Sequence, residues 1–241
     1  TTVEDLRDGY PLPLLCVPEE EIVRVHASSG TTGKRKILAY TANDVANFGL
    51  QMARCYELAG LTPADRIQIA VGYGLWTAGA GFQAGSELFG AMTVPVGPGN
   101  LDIQLQHLKD LHITCIGCTA SMALLLAEEV ERHHLREQLN LKKIIFGSEP
   151  HSLKMRQSFT EKLGVEGAYD IAGMTEMYGP GTGLNCEVGQ GIHYWADLFI
   201  HEIVDPHTLE PVPDGEVGEL VVTSLRKEAV PLIRYRTHDL T

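Results

Sequence analysis

The stretch His26-Ala27-Ser28-Ser29-Gly30-Thr31-Thr32-Gly33-Lys34 holds seven consecutive small or hydroxylated residues and ends in a lysine. Glycines let the backbone turn its N–H groups toward an anion, and the hydroxyls add donors. Lys34 adds a compact positive charge. Such a segment serves either as a flexible turn between strands or as a phosphate loop, and the S-S-G-T-T-G-K order favours the phosphate loop. It is not a Walker A loop, which needs four residues between the first Gly and the Gly-Lys pair. Here only Thr31 and Thr32 lie between Gly30 and Gly33, so a P-loop NTPase is excluded.

A second stretch is Tyr169-Asp170-Ile171-Ala172-Gly173-Met174-Thr175-Glu176. It begins as a strand and turns at Gly173. A polar loop past the carboxyl end of a parallel strand is where open α/β sheets bind ligands. Thr175 could bond a phosphate, and Glu176 could hold Mg²⁺, which prefers carboxylate and phosphate oxygens. A capped helix start explains the same residues equally well. The third stretch is the terminal Arg234-Tyr235-Arg236-Thr237-His238-Asp239. Asp239 there could accept bonds from ribose hydroxyls, or the segment is simply a polar chain end.

Elements around these stretches must position them. Strands are expected over 66–71, 92–96, 113–117, 142–147 and 167–171, and helices over 80–90, 101–111, 121–139 and 152–163. Leu101, Leu105, Leu108 and Leu111 share one helical face, and Ser121 is a plausible N-cap. Strands alternating with helices at this spacing predict parallel βαβ units. Upstream, 43–60 reads as an amphipathic helix with apolar Val45, Phe48, Met52 and Tyr56 on one face. After about Gly191 the pattern changes to strands at 195–205 and 215–225 around a Pro-Asp-Gly turn, as in an antiparallel subdomain. The expected divisions are a lead-in at 1–22, which packs on something else, an α/β region at 23–190 that binds nucleotide and acyl group, and a β subdomain at 191–241.

The 241 residues are enough for one large domain or two small ones with a substantial core. Apolar residues make up 44% and charged residues 21%, which excludes disordered and low-complexity classes. The net charge of −12 argues against general nucleic-acid binding, because neutralising phosphates needs a basic face. No apolar run is long enough to span a membrane. Five cysteines, an odd number spread along the chain, are not a disulfide framework, and a reducing, cytoplasmic setting is the default.

Taken together, the three stretches resemble the adenylate-forming superfamily, the acyl-CoA synthetases and their relatives. Within it the chain is most similar to the phenylacetate–CoA ligase branch. HASSGTTGK, FGSEP (146–150), AGMTEMYGPG (172–181), KEAVPLIRYRTHDLT (227–241) and the TTVEDLRDGYPLPLL opening carry the likeness, which runs end to end in the same order. The branch also includes related aryl–CoA ligases and enzymes that adenylate a deazaflavin coenzyme.

The resemblance implies parallel βαβ sheet layers followed by a smaller, mainly antiparallel β subdomain. It implies ATP, Mg²⁺ and coenzyme A as cofactors, an aromatic acid as substrate, and a homodimer. Ser28, Ser29, Gly30, Thr31, Thr32, Gly33 and Lys34 would hold the β- and γ-phosphates. Gly147, Ser148, Glu149 and Pro150 would line the adenine site, with Asp170, Ile171 and Ala172 on its other side. Thr175 would touch the α-phosphate, Glu176 would carry Mg²⁺ and Asp239 would hold the ribose. Lys34, Thr175 and Glu176 are thus the expected catalytic residues. The acyl pocket would draw on Tyr73, Gly74, Trp76, Tyr178, Gly179 and Pro180; an aromatic wall suits a flat substrate.

The implied reaction converts the acid to an acyl-adenylate and transfers it to coenzyme A, with no nucleophilic side chain required. Two departures stand out: Arg35 replaces the proline that usually follows the loop lysine, and His238 replaces a glycine in the usual ending. Members of the family carry further residues before this chain's start and a C-terminal domain that supplies a lysine for adenylation. The chain is therefore expected to be a fragment, a nucleotide-binding core that adenylates poorly alone. The rival expectations are adenylation of a deazaflavin or phenolic hydroxyl, and a catalytically dead nucleotide-binding module.

Other suggestive residues have plainer readings. Cys115 and Cys118 form C-x-x-C in or after a strand, where packing is favoured over redox chemistry. Cys186 and His193 are too few for a closed zinc site unless distant residues complete it. His133 and His134 are expected to be solvated, and Trp195 to lie in the core.

Overall fold

A computed structural model describes residues 1–28, 35–188 and 191–241. Its first elements are helix α1 (Val3–Asp8), strands β1 (Arg24–Ala27) and β2 (Ile37–Tyr40), helix α2 (Ala42–Leu58) and strand β3 (Arg66–Ile69). Then come α3 (Thr77–Phe89), β4 (Met92–Val94), α4 (Leu101–Asp110), β5 (Cys115–Thr119), α5 (Ala120–Arg132), β6 (Lys143–Gly147) and α6 (Leu153–Leu163). The chain continues with β7 (Gly167–Met174), a 3₁₀ turn at Thr175–Met177, β8 (Gly179–Leu184), β9 (His193–Tyr194), β10 (Phe199–Val204), β11 (Glu219–Ser224) and β12 (Tyr235–Leu240). Two units are formed, one from Thr1–Asn47, Thr175–Met177 and Tyr194–Thr241, the other from Phe48–Met174 and Tyr178–His193.

The second unit holds the α/β architecture that strand–helix alternation predicts. The order of its sheet is β4-β3-β5-β6-β7-β8-β9, parallel from β4 through β7, with β8 antiparallel to β7. Leu105 and Leu108 of α4 are buried, and Leu101 and Leu111 pack beside them, so the expected leucine face is the core face. Phe48, Met52 and Tyr56 of α2 are wholly buried, as their spacing requires. Gly90 and Gly164 end α3 and α6 in left-handed conformations that favour glycine.

Several boundaries differ from expectation. Helix α5 begins at Ala120 because the Thr119 hydroxyl accepts from the Met122 N–H at 3.2 Å, so Thr119, not Ser121, is the N-cap. It ends at Arg132 rather than 139. Strand β7 runs three residues beyond Ile171, because β8 pairs with it and satisfies its backbone through Met174. Cys115 and Cys118 both lie within β5, buried and free, and burial pushes the Cys118 thiol up to about 12. Trp195 is only partly buried, and the strand expected from that point begins at Phe199.

The first unit contains two antiparallel sheets. Strands β1 and β2 pair from Arg24↔Tyr40 to Ala27↔Ile37, and β10-β11-β12 form the other sheet. The opening segment packs on the chain's last residues: Thr1 donates to the Ile233 carbonyl at 3.0 Å, and the Cys16 N–H donates to the Ala229 carbonyl at 2.9 Å. Among the described residues no helix is long and apolar enough to cross a membrane.

Candidate functional site

In the second unit, the carboxyl end of β6 lies beside β7, with Gly147 opposite Ile171. A Cβ on Gly147 would stand 2.6 Å from the Ile171 carbonyl oxygen, so only glycine permits this approach. Ser148 turns the chain off the sheet with φ 68°. Both oxygens of Glu149 are then taken by Ser121, which donates its N–H and its hydroxyl at 2.9 Å each. The fold thus brings Gly147, Ser148, Glu149 and Pro150 together with Asp170, Ile171 and Ala172, where open α/β sheets bind ligands.

Two residues here escaped the motif reading. His151 stacks edge-on against Phe146, and its Nε2 lies 3.6 Å from Asp170 Oδ2. Asn185 accepts the Asp170 N–H at 2.8 Å and returns its own N–H to the Asp170 carbonyl. Desolvation raises the Asp170 carboxyl above its ordinary range, against the opposing pull of His151 and Arg156. His151 directly follows the Ser-Glu-Pro segment; that adjacency was the available signal.

The residues expected to line an acyl pocket occupy two neighbouring places in the same unit. Tyr73, Gly74 and Trp76 lie in the loop from β3 to α3, and Tyr178, Gly179 and Pro180 open β8. Gly179, at φ 115°, sits so close to α3 that a Cβ there would stand 2.5 Å from the Thr77 Cβ. Gly81 of α3 meets Pro180 equally closely, and Gln51 donates to the Pro180 carbonyl at 2.8 Å. Tyr178 is fully buried, whereas Tyr73 is 38% exposed. Desolvation, then the charge of Glu87, pushes the Tyr73 hydroxyl up to about 12.

In the first unit, β1 and β2 form the stem that leads into and out of the glycine-rich loop. The Ser28 N–H donates to the Lys36 carbonyl at 3.0 Å, and the Lys36 N–H returns to Ser28 Oγ at 3.3 Å. Ser29, Gly30, Thr31, Thr32, Gly33 and Lys34 lie outside the described residues.

The same unit contains the 3₁₀ turn of Thr175 and Glu176, both buried. The Glu176 carboxylate forms an ion pair with Lys36 and accepts the Tyr235 hydroxyl at 3.0 Å. Lys36 also lies 3.4 Å from that hydroxyl. Burial and the Glu176 charge raise the Tyr235 hydroxyl well above its ordinary value. The Thr175 carbonyl accepts from the Tyr40 hydroxyl at 3.1 Å, and the Glu176 carbonyl accepts from Lys227 Nζ at 2.8 Å. Desolvation lowers the Lys227 ammonium to about 8, although Asp44 and Glu176 oppose the shift. Lys36, Tyr40, Tyr235 and Lys227 were not singled out from the sequence. Lys227 and Tyr235 lay within the terminal segment that carries the likeness, which was the signal for them.

Asp239 lies near the exposed end of β12. That strand is held by Arg236, whose guanidinium grips Glu219 and donates to the Pro206 carbonyl at 3.0 Å. The Arg236 hydrogen bonds hold the Glu219 carboxyl below its ordinary range. Among the described residues, no group of three or more His, Cys, Asp or Glu is arranged to hold a metal ion. A cation at Glu176 would need its remaining ligands from phosphate and water, which is how Mg²⁺ usually binds.

A family model described as AMP-binding enzyme matches residues 7–225. The chain is 44% identical over 243 residues to a phenylacetate-coenzyme A ligase of Pseudomonas putida, covering 100% of this chain and 55% of that protein. It is 45% identical over 244 residues to the phenylacetate-coenzyme A ligase of Escherichia coli K12, covering 100% and 56%. The chain therefore spans about half the length of the curated relatives it matches. Among solved structures it is similar to an open conformation of 2-hydroxyisobutyryl-CoA ligase in complex with 2-HIB-AMP and CoA. That similarity has a TM-score of 0.92 at 27% identity and covers 100% of this chain and 58% of the other.

Proposed function

The chain belongs to the family of AMP-binding enzymes, and on that premise we propose that it carries the nucleotide- and acyl-binding part of an acid–CoA ligase. The reaction is ATP-dependent and AMP-forming, and the substrate is an aryl or arylacetic acid of the phenylacetate kind. The observation that carries this reading is the 45% identity to a phenylacetate-coenzyme A ligase along the whole of this chain.

In the first half-reaction an oxygen of the substrate carboxylate attacks the α-phosphorus of ATP. The bond to the bridging oxygen breaks and pyrophosphate leaves. In the second, the sulfur of coenzyme A, its proton lost, attacks the acyl carbon and AMP leaves. The protein's part is positioning and charge neutralisation rather than covalent chemistry. Gly147–Pro150 and Asp170–Ala172 enclose the adenine, and Asp239 accepts the ribose hydroxyls. Ser28, Ser29, Gly30, Thr31, Thr32, Gly33 and Lys34 bind the β- and γ-phosphates, and Thr175 donates to the α-phosphate. Glu176 would hold Mg²⁺, whose charge offsets that of the phosphates. Tyr73, Gly74, Trp76, Tyr178, Gly179 and Pro180 surround the acid. A homodimer belongs to the same reading and rests on the likeness to this branch, whereas a cytoplasmic location rests on the odd, scattered cysteines.

The test is ATP–pyrophosphate exchange by the protein expressed from its complete reading frame, with a panel of aryl and aliphatic acids. Exchange driven by arylacetic acids and lost in Lys34→Ala and Asp239→Ala supports the reading. Exchange driven only by phenolic or deazaflavin substrates, or none from a folded protein, overturns it.

A further inference from the structure

Thr175 and Glu176 sit in a 3₁₀ turn of only three residues, and its N-cap, Met174, makes no side-chain capping bond. So short a turn has little stability of its own, because a single turn fixes many dihedrals for few hydrogen bonds. Its position must come from elsewhere in the same unit. Two side chains hold the Glu176 carboxylate, Lys36, directly before β2, by an ion pair and Tyr235 of β12 by a hydroxyl. The backbone is held separately. Tyr40 donates to the Thr175 carbonyl, Lys227 donates to the next carbonyl, and the Lys227 ammonium stands 5.1 Å above the Tyr40 ring.

Lys227 is itself anchored. Asp44 in the first turn of α2 is wholly buried and accepts the N–H groups of Glu228 and Ala229 at 2.8 and 2.9 Å. The Glu228 carboxylate in turn accepts from Thr41 at 2.7 Å and Asn43 at 2.9 Å. The segment bearing Lys227 is thereby fixed to the start of α2, directly after the strand that bears Tyr40. A flexible four-carbon side chain gains a defined reach when its backbone is pinned and its head is stacked on a ring.

We propose that Lys227, together with Tyr40, is a positioning residue that sets the backbone of the Thr175–Glu176 turn and so fixes where Glu176 presents its carboxylate to the metal-bound nucleotide. This rests on the ATP-binding reading above. Lys227 touches no reacting atom in this account. It acts through the Glu176 main-chain carbonyl, as Tyr40 does through that of Thr175, and a loss of its amine displaces a ligand-binding carboxylate while leaving the acid pocket alone.

The experiment is calorimetric titration of the protein from its complete reading frame with MgATP, comparing wild type, Lys227→Met, Lys227→Arg, Tyr40→Phe and Glu176→Gln. Circular dichroism identifies the folded variants. Lys227→Met is expected to weaken MgATP binding about tenfold, the usual effect of removing a charged buried donor. Lys227→Arg should restore most of the affinity. Tyr40→Phe should lose a smaller factor, and binding of the acid should be unchanged in all of them. Should Lys227→Met fail to fold, Lys227→Arg and Tyr40→Phe carry the test, and wild-type MgATP affinity in Tyr40→Phe overturns the proposal. An unchanged MgATP affinity in folded Lys227→Met, with Glu176→Gln impaired, overturns the positioning role while the ATP reading stands. A folded wild type that binds no MgATP overturns both.

Discussion

Glu149 and Ser121 form a two-point contact: one carboxylate accepts both the backbone N–H and the hydroxyl of one serine, each at 2.9 Å. Ser121 lies in the first turn of α5, where unpaired N–H groups and the helix dipole favour a negative charge. The contact ties the loop after β6 to the helix that precedes that strand. Glu149→Ala should therefore lower stability by about 1 kcal/mol, read as a shift in the urea midpoint. An unshifted midpoint would mean that water replaces the carboxylate without cost.

At Gly179 the constraint is both conformational and steric. Its φ of 115° is unfavourable for any residue with a side chain, and an added Cβ would stand 2.5 Å from the Thr77 Cβ. Gly179→Ala should cost about 2 kcal/mol or more. Thermal melts would show it, and a melting temperature equal to wild type would show that α3 can move away freely.

Lys36→Met removes the cation beside a buried carboxylate. Breaking such a pair from one side costs about 3 kcal/mol, because the remaining charge stays desolvated. If Glu176 holds Mg²⁺ as proposed, MgATP returns a cation to it, so the ligand should raise the variant's melting temperature by more than it raises that of wild type. An equal ligand-induced rise in both proteins would count against Glu176 as the metal-holding group.

His201 supplies a pH prediction. Burial lowers its imidazole from 6.5 to about 4, and its buried Nε2 has no hydrogen-bond partner among the described residues. The ring lies between Tyr194 and Phe199, with centroids 4.2 and 5.9 Å away. The unfolded chain takes up a proton below pH 6.5, whereas the folded chain does so only near 4. Stability contributed by the neutral ring is therefore intact above about 6.5 and is lost as the pH falls toward 4. His201→Phe should flatten the stability profile across that window; a profile of undiminished slope would assign the acid sensitivity to other groups.

By itself, the sequence determined the elements whose order is local. Leucines spaced three and four apart marked the core face of α4, and alternation with strands predicted the parallel sheet from β3 to β7. Residue types drew attention to the glycine-rich loop, while the Thr175–Glu176 stretch and Asp239 kept plainer alternatives, and their proposed roles came from the family resemblance. Only the tertiary structure decided what those residues rest against. The N-cap of α5 is Thr119 rather than Ser121, whose N–H and hydroxyl both go to Glu149, 28 residues away. Strand β7 continued past Gly173 because β8 folded back on it. Asp44 and Ala229 are 185 residues apart in the chain, and Lys227 and Glu176 are 51 apart. Hydrogen bonds over such separations leave no periodic trace in a sequence. They exist because burial strips water from these groups and obliges each to find a partner wherever the fold supplies one.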